Sequence, residues 1–522
     1  MRAAPTMESL RSTHHPARRR PRSKGDQVDD TGEHAAFRRA QRRVPDLFTP
    51  TGAPRTVVVV PSLSMDSTSL TKIPGIGHYE ERLLFLLQLL RDPHTRVVYV
   101  TSAAVAPEVL DYALDLVPSL PRGHARARLT MLDCASTEPI PLTAKILRRP
   151  GLLARLRGLA RQDAVLVPFI SSDLERTLAV RLGLPLYAPD PDLAELGSKT
   201  GSRRLFHAAG VPVADGVEGL RDVGDVVDAL ARLRGRDPTT ARAIIKLNHS
   251  FGAGGNVLFS FAGAPASGLE PWLRRELPRR AVFATPPDEW ERYAGEVEVM
   301  GAVVERLMEG DEVTSPSAQM MMGTSGEVRV FTTHDQVLDG QVFAGCAFPA
   351  RAQYRLEIQA LALRAAHALA ARSVVGIASI DFVSVRTGAS WQHYALELNL
   401  RMGGGTAPYF LLHGLVEGAY DPATGQYLTP DGTPRSYFAT DRLYRTEYSA
   451  LSPSDVIDTL VGERFHYRSG TRTGTVAYML GALEIGRFGV VSIARDTPTA
   501  EARHHELVRA FDARVAQVAQ TG

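Results

Sequence analysis

The sequence predicts a multidomain protein that combines an α/β region with an α+β region. The chain has 522 residues, more than one ordinary hydrophobic core accommodates. Buried-strand patterns alternate with helical patterns from residue 55 to residue 190, which is typical of a parallel, Rossmann-like sheet. Antiparallel hairpin patterns follow at 328–348 and 376–400, with turns at Asp339-Gly340 and Thr387-Gly388. We therefore predict a Rossmann-like domain followed by a domain of mixed strands and helices.

The N-terminal 50 residues differ in composition from the rest of the chain. Residues 1–43 hold 11 basic and 5 acidic side chains, a charge of +6, so the remainder carries −3 of the net +3. Arginine and proline are frequent and apolar residues are few, which predicts a disordered basic tail over residues 1–50. A targeting role or a nucleic-acid-binding role of this tail stays open, and an extension without a role of its own is the simpler interpretation. The acidic remainder argues against nucleic acid as a partner of the protein body.

The remaining composition is that of an ordinary globular protein. Apolar residues make up 44% of the chain and charged residues 22%. No apolar run approaches the roughly 20 residues that a membrane span requires, so no membrane partner is predicted. The two cysteines, Cys134 and Cys346, lie far apart without metal-ligand spacing, which fits a reducing compartment and predicts a cytoplasmic protein. The oligomeric state is left open, a dimer included.

The first folded domain is predicted over residues 51–190. TVVVV (56–60) is an apolar run typical of a buried strand. HYEERLLFLLQLLRD (78–92) has the spacing of an amphipathic helix, and TRVVYVTS (95–102) predicts a second strand. Helical segments separate the further strand patterns, as a parallel sheet requires.

Two further regions are predicted, over residues 191–415 and 416–522. In the first, residues 198–210 predict a helix, 241–248 a strand, and 297–308 (VEVMGAVVERLM) another strand. The second opens with turn-rich sequence, continues with strand-like segments and ends in a charged helix. We expect His504 and His505, which lie in that terminal helix, to be solvated.

A glycine-rich segment follows one of the chain's few lysines. Only five of its 60 basic residues are lysine, and one of them, Lys246, ends a predicted strand in IIKLNHSFGAGGN (244–256). Glycines allow backbone N–H groups to close over phosphate oxygens, and lysine supplies a compact positive charge. The candidate phosphate-binding residues after the lysine are Ser250, Gly252, Gly254 and Gly255. A plain hairpin with a glycine-rich turn explains the same pattern equally well.

Two glutamates lie at the end of the next strand pattern. Glu305 and Glu312 are candidates to accept hydrogen bonds from an exocyclic amine and from ribose hydroxyls, respectively. Two solvent-facing acids beside a turn are the simpler interpretation of this pair.

The second hairpin places acidic and amide side chains on adjacent strands. Asp381 lies in the apolar strand IASIDFVSV, and a buried carboxylate needs a partner or a cation. Glu397 and Asn399 lie on the following strand with period-two spacing, which puts them on one face. Carboxylate and amide oxygens are ligands that suit Mg²⁺. The alternative is a buried acid that is neutralised by Arg401.

These motifs, in this order, resemble the ATP-grasp superfamily across residues 195–412. Within that superfamily the sequence is similar to peptide ligases of the pheganomycin-biosynthesis type. The stretches that carry this similarity are SPSAQMMMG, DQVLDGQVFAGCAFPA, ELNLRMGGGTAP and MLGALEIGRFGVVSIA. The resemblance implies a pre-ATP-grasp domain at 51–190, an ATP-grasp domain at 191–415 and a C-terminal extension of the peptide-ligase type at 416–522.

The resemblance also implies roles for individual residues. Lys199 and Lys246 would hold the α- and β-phosphates of ATP, with the glycine-rich segment as a lid. Glu305 and Arg306, Leu307 and Met308 would hold adenine, and Glu312 the ribose. Asp381, Glu397 and Asn399 would hold two Mg²⁺ ions. Related amino-acid ligases often carry an arginine where this chain has Ser379, so we assign transition-state stabilisation to Arg401, with Arg329 as a second candidate.

The predicted activity is that of an ATP-dependent carboxylate–amine ligase. A small-molecule carboxylate would be activated as an acyl phosphate, and an amino acid or peptide amine would then form an amide. Peptide natural-product biosynthesis is one setting in which such an activity would serve. The alternatives are an ATP-grasp kinase that stops at phosphoryl transfer and a nucleotide-binding regulator without turnover.

Overall fold

A computed structural model describes residues 30–50, 52–161, 163–250, 254–284, 289–340 and 342–521. Three β-sheets organise the chain: one of four strands, one of five and one of eleven. In the described residues, no helix combines the length and the apolar character that crossing a membrane would require.

The four-stranded sheet is parallel, as the sequence predicts. Its strands are β1 (Arg55–Val60), β2 (Thr95–Thr101), β3 (Leu129–Asp133) and β4 (Ala164–Pro168). They lie in the order β3-β2-β1-β4, and Val57 faces Val97 on one side and Val165 on the other. Both faces of β1 are buried, which explains its continuous run of valines. The Rossmann-like prediction is confirmed.

Helices cover this parallel sheet. They are α1 (Asp30–Gln41), α2 (Ser67–Thr71), α3 (Pro107–Asp115), α4 (Arg122–Arg128), α5 (Leu142–Leu147), α6 (Pro150–Leu159) and α7 (Asp173–Leu182). The helix predicted at 78–92 is present at Ile76–Arg91, with 3₁₀ geometry.

The α1 helix corrects part of the prediction of a disordered tail. Phe37 is only 1% exposed, in the core that α1 shares with the parallel sheet. The Gln41 amide donates to the Leu186 carbonyl at 3.1 Å and accepts from the Leu186 N–H at 2.7 Å. The arginine-rich composition of residues 1–43 concealed the apolar contact that this short helix makes. The prediction for residues 1–29 lies outside the described residues.

The five-stranded sheet is antiparallel and follows the order β5-β9-β6-β7-β8. Its strands are β5 (Gly216–Leu220), β6 (Arg242–Leu247), β7 (Asn256–Ser260), β8 (Val282–Phe283) and β9 (Ala302–Arg306). The accompanying helices are α8 (Lys199–Ala208), α9 (Val223–Arg236), α10 (Leu269–Arg280), α11 (Trp290–Met300) and a 3₁₀ helix at Pro191–Gly197.

The strand prediction for residues 297–308 is half wrong. Residues 297–300 form the last turn of α11, and only Ala302–Arg306 form a strand. Gly301 separates the two elements with a φ of 74°, a conformation that favours glycine. The alternation in VEVM imitates a strand, but Val297 is buried on the inner face of a helix.

The eleven-stranded sheet contains both predicted hairpins. Its strands are β10 (Glu312–Thr314), β11 (Pro316–Met322), β12 (Val328–Asp339), β13 (Val342–Phe348), β14 (Gly376–Thr387), β15 (Ser390–Asn399), β16 (Ala419–Asp421), β17 (Gln426–Leu428), β18 (Pro434–Tyr444), β19 (Gly474–Tyr478) and β20 (Arg487–Ala494). The last helices are α12 (Arg355–Ala370), α13 (Thr406–Leu415), α14 (Pro453–Gly462), α15 (Thr497–Thr521) and two 3₁₀ helices at Thr446–Ala450 and Leu480–Ile485.

The C-terminal residues continue this sheet. Strand β18 pairs with β13, placing Ala439 opposite Cys346, and β20 pairs with β18. The predicted boundary between residues 415 and 416 therefore falls within one continuous sheet and one shared core. The four predicted domain ranges stay predictions.

His504 differs from its expected environment. We expected both histidines of α15 to be solvated, but the His504 ring lies 4.8 Å from the Phe438 ring and is buried. Only His505 is exposed. Burial, followed by the charge of neighbouring His505, lowers the pKa of His504 to about 4.

Replacing His504 with leucine should make the fold less sensitive to acid. The folded pKa lies below the ordinary value of 6.5, so the folded state binds fewer protons than the unfolded state between pH 6.5 and about 4. The associated stability is present above pH 6.5 and is lost as pH falls, by up to about 3 kcal/mol. Unfolding curves at pH 7 and pH 4.5 should show a smaller loss for His504→Leu than for wild type. The exposed-site variant His505→Leu should stay close to wild type, because His505 contributes less than burial to the pKa shift of His504. An equal loss in all three proteins would contradict this account.

Candidate active site

The β14–β15 hairpin brings the predicted metal-binding residues together. Asp381 lies directly opposite Glu397, and Ser379 lies opposite Asn399. The Asn399 amide donates to Asp381 Oδ2 at 3.1 Å. The Gln336 amide donates to Asp381 Oδ1 at 2.7 Å. The shared face that the alternation predicted is therefore confirmed, whereas the role of these residues stays a prediction.

This cluster holds two facing carboxylates. Burial, followed by the charge of Glu397, raises the pKa of Asp381 above its usual value. Ser317, Arg401 and Lys199 act in the opposite direction without cancelling the shift. Lys199 contacts Glu397 through its ammonium group. The hydrogen bond of Ser317 and the positive charges of Arg401 and Lys199 therefore do not fully stabilise the ionised form of Asp381.

The donor set fits a hard divalent cation that also binds phosphate. It consists of two carboxylates and an amide oxygen, and an added cation would relieve the repulsion between Asp381 and Glu397. Across the described residues, no group of three or more His, Cys, Asp or Glu side chains has a metal-binding arrangement. Such a cation would therefore depend on Asn399 and on oxygens brought by a nucleotide.

Lys199 reaches this cluster from the N-terminus of α8. Ser198 caps the helix by accepting from the Gly201 N–H at 2.9 Å. Asn248, just beyond β6, accepts from both the N–H and the hydroxyl of Thr200, at 3.0 and 2.8 Å. The end of β6, which carries Lys246, is thereby held beside the start of α8. This brings the two predicted phosphate-binding lysines to one region.

Glu305 is held by two buried cations in the structure. Its side chain is 1% exposed, and its two oxygens contact Lys246 Nζ at 2.6 Å and Arg203 Nη1 at 2.7 Å. Burial alone would raise the pKa of Glu305, but Lys246 and Arg203 lower it below its usual value. The carboxylate is thus held between two buried cations and orients Lys246, and the predicted contact of Glu305 with an adenine amine stays a prediction.

Two backbone N–H groups that follow Glu305 are already hydrogen-bonded within the protein. The Arg306 N–H donates to the Asp215 carbonyl at 2.7 Å, and the Leu307 N–H donates to the Arg242 carbonyl at 3.1 Å. These two N–H groups cannot serve adenine while they are bonded. The predicted adenine contact therefore falls to backbone carbonyls and to Met308, which is half-buried.

Glu312 is bound by two arginines. Its oxygens accept from Arg351 at 2.5 Å and from Arg386 at 3.1 Å. Its side chain stays 35% exposed, so a ribose hydroxyl could reach it only beside these arginines. The predicted ribose contact is not tested by this arrangement and stays a prediction.

The predicted glycine-rich lid begins directly after β6. The Ser250 hydroxyl donates to the Leu247 carbonyl at 3.3 Å, so Ser250 is turned back towards the strand. Gly255 has a φ of 85°, and its carbonyl accepts from the Leu247 N–H at 3.1 Å. Gly254 precedes it in the turn before β7, whereas Gly252 lies outside the described residues.

The two candidate arginines have different positions. Half-buried Arg401 lies near the carboxylates: burial lowers its pKa, and Glu397 and Asp381 act in the opposite direction. Arg329 pairs with Met321, four residues along β11 from Ser317, which faces Asp381. Its guanidinium lies 3.5 Å from Asp46 instead. The structure does not bring Arg329 to the cluster, so the candidate role of Arg329 is withdrawn.

The glycines after Arg401 pack against protein rather than leaving space for a substrate. A β-carbon on Gly404 would lie 2.6 Å from the Phe343 ring, and one on Gly405 would lie 2.5 Å from the His334 ring. Both contacts are too short for a real side chain. Gly404 and Gly405 therefore allow the chain to turn closely over the sheet.

Three residues of this region escaped the sequence analysis. Arg203 lies four residues after Lys199, and this helical spacing could have placed it on the same face of α8. Gln336 reaches Asp381 from β12, two strands away, which no local pattern indicates. Arg82 comes from the N-terminal domain and is close enough to Arg401 to lower its pKa. Long-range pairing supplied all of these neighbours.

Comparison with known proteins agrees with this architecture. The family model described as "IQCH-like, ATP-grasp" matches residues 274–423, and the "Pre ATP-grasp domain" model matches residues 80–184. The chain is 33% identical over 461 residues to the L-propargylglycine–L-glutamate ligase of Streptantibioticus cattleyicolor, covering 85% of this chain and 92% of that protein. It is 21% identical to IQ motif-containing protein H of Danio rerio, covering 82% of this chain and 45% of that longer protein.

One solved structure has the same fold at much lower sequence identity. A complex of biotin carboxylase from Campylobacter jejuni with β,γ-ATP superimposes with a TM-score of 0.55 at 12% identity, covering 90% of this chain and 95% of the other. Fold and sequence together define an ATP-dependent enzyme with a pre-ATP-grasp domain ahead of an ATP-grasp domain. The chain belongs to the ATP-grasp family of carboxylate–amine ligases that includes the L-propargylglycine–L-glutamate ligase.

Proposed function

We propose that this protein joins a small carboxylic acid to the amine of an amino acid or peptide, with ATP as the second substrate. A carboxylate oxygen attacks the γ-phosphorus of ATP, and the bond to the β,γ-bridging oxygen breaks to release ADP. The amine nitrogen then attacks the carbonyl carbon of the acyl phosphate. The carbon–oxygen bond to phosphate breaks, the nitrogen loses a proton, and an amide and inorganic phosphate remain.

Lys199 and Lys246 would bind phosphate oxygens in this proposal. Both ammonium groups are buried and held against carboxylates, Glu397 and Glu305 respectively, so they are preorganised for an anionic ligand. The glycine-rich segment after Lys246 would cover the phosphates and exclude water, because an acyl phosphate that meets water is hydrolysed. Met308 and the adjacent carbonyls would face adenine.

The observation that carries the proposal is the opposed pair of Asp381 and Glu397, with Asn399 beside them. These three residues would hold Mg²⁺, two ions in our proposal, and bound Mg²⁺ would neutralise phosphate charge. Arg401 lies on the same strand end, where its guanidinium would face the oxygen of the reacting carbonyl. Its preorganisation next to two carboxylates keeps it charged and oriented.

A product screen tests this activity. The purified protein, ATP and Mg²⁺ are incubated with pairs of carboxylic acids and amino acids, and ADP release is followed by mass spectrometry of the products. We expect ADP and phosphate in equal amounts, with a new amide for at least one pair. A phosphorylated acid as the stable product would identify a kinase instead, and nucleotide binding without turnover would identify a regulator.

Replacing Lys246 with methionine should weaken ATP binding at least about tenfold, because a charged hydrogen bond to phosphate is lost. Arg203 remains as a partner of Glu305, so the fold should persist. Calorimetric titration of ATP with Mg²⁺ measures the change, and exposed Lys72→Met serves as the control. An unchanged ATP affinity in Lys246→Met would remove this lysine from the nucleotide site.

The proposed setting is the cytoplasm, where ATP and Mg²⁺ are present. Both described cysteines, Cys134 and Cys346, are unpaired and buried, which agrees with a reducing compartment. Burial raises the pKa of both thiols, so neither is a reactive thiolate at neutral pH.

A further inference from the structure

A polar cavity lies at one edge of the parallel sheet, away from the nucleotide residues. Its volume is about 430 Å³, and it lies beyond the carboxyl ends of β1 and β2. This edge of a parallel sheet is where α/β domains bind ligands. The polar side chains that line it include His78, Glu80, Glu81, Ser102, Lys145 and Glu484.

One end of the cavity holds a buried cation, and the charges of Glu80 and Glu138 act on it. Lys145 is 6% exposed, and its ammonium donates to the Ser102 hydroxyl at 2.8 Å and to the Ser136 carbonyl at 3.1 Å. An ammonium has three N–H donors, so one remains for a ligand. Burying a lysine is costly, and this chain otherwise uses arginine almost everywhere. Lys145 therefore suits a compact anionic group such as a carboxylate.

The other end is acidic. His78 lies between Glu81, at 3.4 Å, and Glu484, at 2.8 Å. Glu81 is buried and also accepts from the Gly481 N–H at 2.9 Å, which fixes its orientation. Glu138 also lines the cavity, but its charge acts on Lys145 at the opposite end. Because carboxylates outnumber cations here, this end favours a ligand that carries an ammonium group.

Glu80 lies between the two ends. Its carboxylate accepts from the N–H and the hydroxyl of Ser102, both at 2.5 Å. Burial raises the pKa of Glu80 to about 7, although Ser102 and Lys145 act in the opposite direction. The carboxylate is therefore incompletely compensated at neutral pH, which agrees with space for a further positive group nearby.

We infer that this cavity binds a free amino acid or short peptide through its charged ends. The carboxylate of the ligand lies against Lys145, and its ammonium lies against Glu81 and Glu484. Resting on the function proposed above, this ligand is one of the two molecules that the enzyme joins. The helix at Ile76–Arg91 connects the sites, since it carries Glu80 and Glu81 on the cavity and Arg82 near Arg401.

Binding in the absence of nucleotide tests the cavity separately from catalysis. The twenty common free L-amino acids and their glycyl dipeptides are screened by saturation-transfer NMR with the full-length protein, followed by calorimetry of those that bind. We expect at least one to bind and its N-acetylated and carboxamide forms to bind at least about tenfold more weakly, because each lacks one charge. A screen in which nothing binds, or in which blocked forms bind equally well, would overturn the inference.

Two variants locate the bound molecule. Lys145→Met should weaken binding at least about tenfold. Glu484→Gln, at a side chain that is 63% exposed and therefore safe for folding, should weaken binding about threefold. Exposed Glu463→Gln should bind like wild type. Wild-type affinity in both cavity variants would place the ligand elsewhere. If Lys145→Met does not fold, wild-type affinity in Glu484→Gln alone would place it elsewhere.

Catalytic measurements separate the inference from the proposed function. If ADP release occurs but the KM of every substrate is unchanged in Glu484→Gln and Lys145→Met, the cavity inference fails and the ligase proposal stands. If amino-acid binding depends on Lys145 and Glu484 but no substrate pair releases ADP, the cavity stands as a binding site and the ligase proposal fails.

Discussion

Replacing Glu397 with glutamine is expected to reduce ATP-dependent ADP release at least about 100-fold. Glutamine preserves the shape of the side chain and removes its charge. The Asp381–Glu397 pair then has only one carboxylate for a cation, and Lys199 loses the partner that orients its ammonium. Steady-state ADP release at saturating ATP and substrates measures the effect. Raising the Mg²⁺ concentration should restore part of the activity if weaker metal binding is the cause.

Glu327→Gln is the matched control for this experiment. Glu327 is an exposed glutamate in the turn between β11 and β12, so the same loss of charge there should leave ADP release unchanged. Wild-type ADP release in Glu397→Gln would remove the hairpin from the catalytic site.

Replacing Arg401 with methionine should lower kcat about 100-fold to 1000-fold and change ATP affinity little. Arg401 follows Glu397 and Asn399 on the same strand end, near enough to Glu397 and Asp381 for their charges to stabilise its protonated form. Its proposed task is to stabilise negative charge that develops on the reacting carbonyl, so the chemical step should suffer more than binding. Arg401→Lys should recover part of the rate, because lysine restores the positive charge. It lacks the planar guanidinium group that donates two parallel hydrogen bonds.

Arg329→Met provides the comparison. Both variants lose one arginine, but Arg329 is exposed and contacts Asp46 and Met321 rather than the carboxylates. We expect kcat of Arg329→Met to stay within about threefold of wild type. A large kcat loss in Arg329→Met together with a small loss in Arg401→Met would reverse the assignment.

Local patterns were sufficient where neighbouring residues in the sequence are also neighbours in space. The alternation in β14 and β15, joined by a short turn, placed Asp381, Glu397 and Asn399 on one face without any tertiary information. The valine run of β1 likewise indicated a strand buried on both faces. The side-chain alternation of a hairpin and the continuous apolar run of a buried parallel strand can therefore be recognised in the sequence.

The sequence could not show which partners distant segments provide. Glu305 resembled a solvent-facing acid near a turn, yet Arg203 from α8 and Lys246 from β6 enclose it. Four residues of α11 imitate a strand because valine and glutamate alternate there, and the tertiary contact of Val297 decides for a helix. The opposite error occurred at Phe37. Its helix was predicted to be disordered from its composition, but the Phe37 side chain is buried in the core.

The transfer of oxygen from substrate to phosphate tests the central claim most directly. A carboxylic acid substrate found in the screen is labelled with oxygen-18 in its carboxylate and incubated with ATP, Mg²⁺ and the amine. Amide formation through an acyl phosphate predicts that each released phosphate carries one labelled oxygen and that the amide retains the other. Unlabelled phosphate, or label in AMP, would contradict the account.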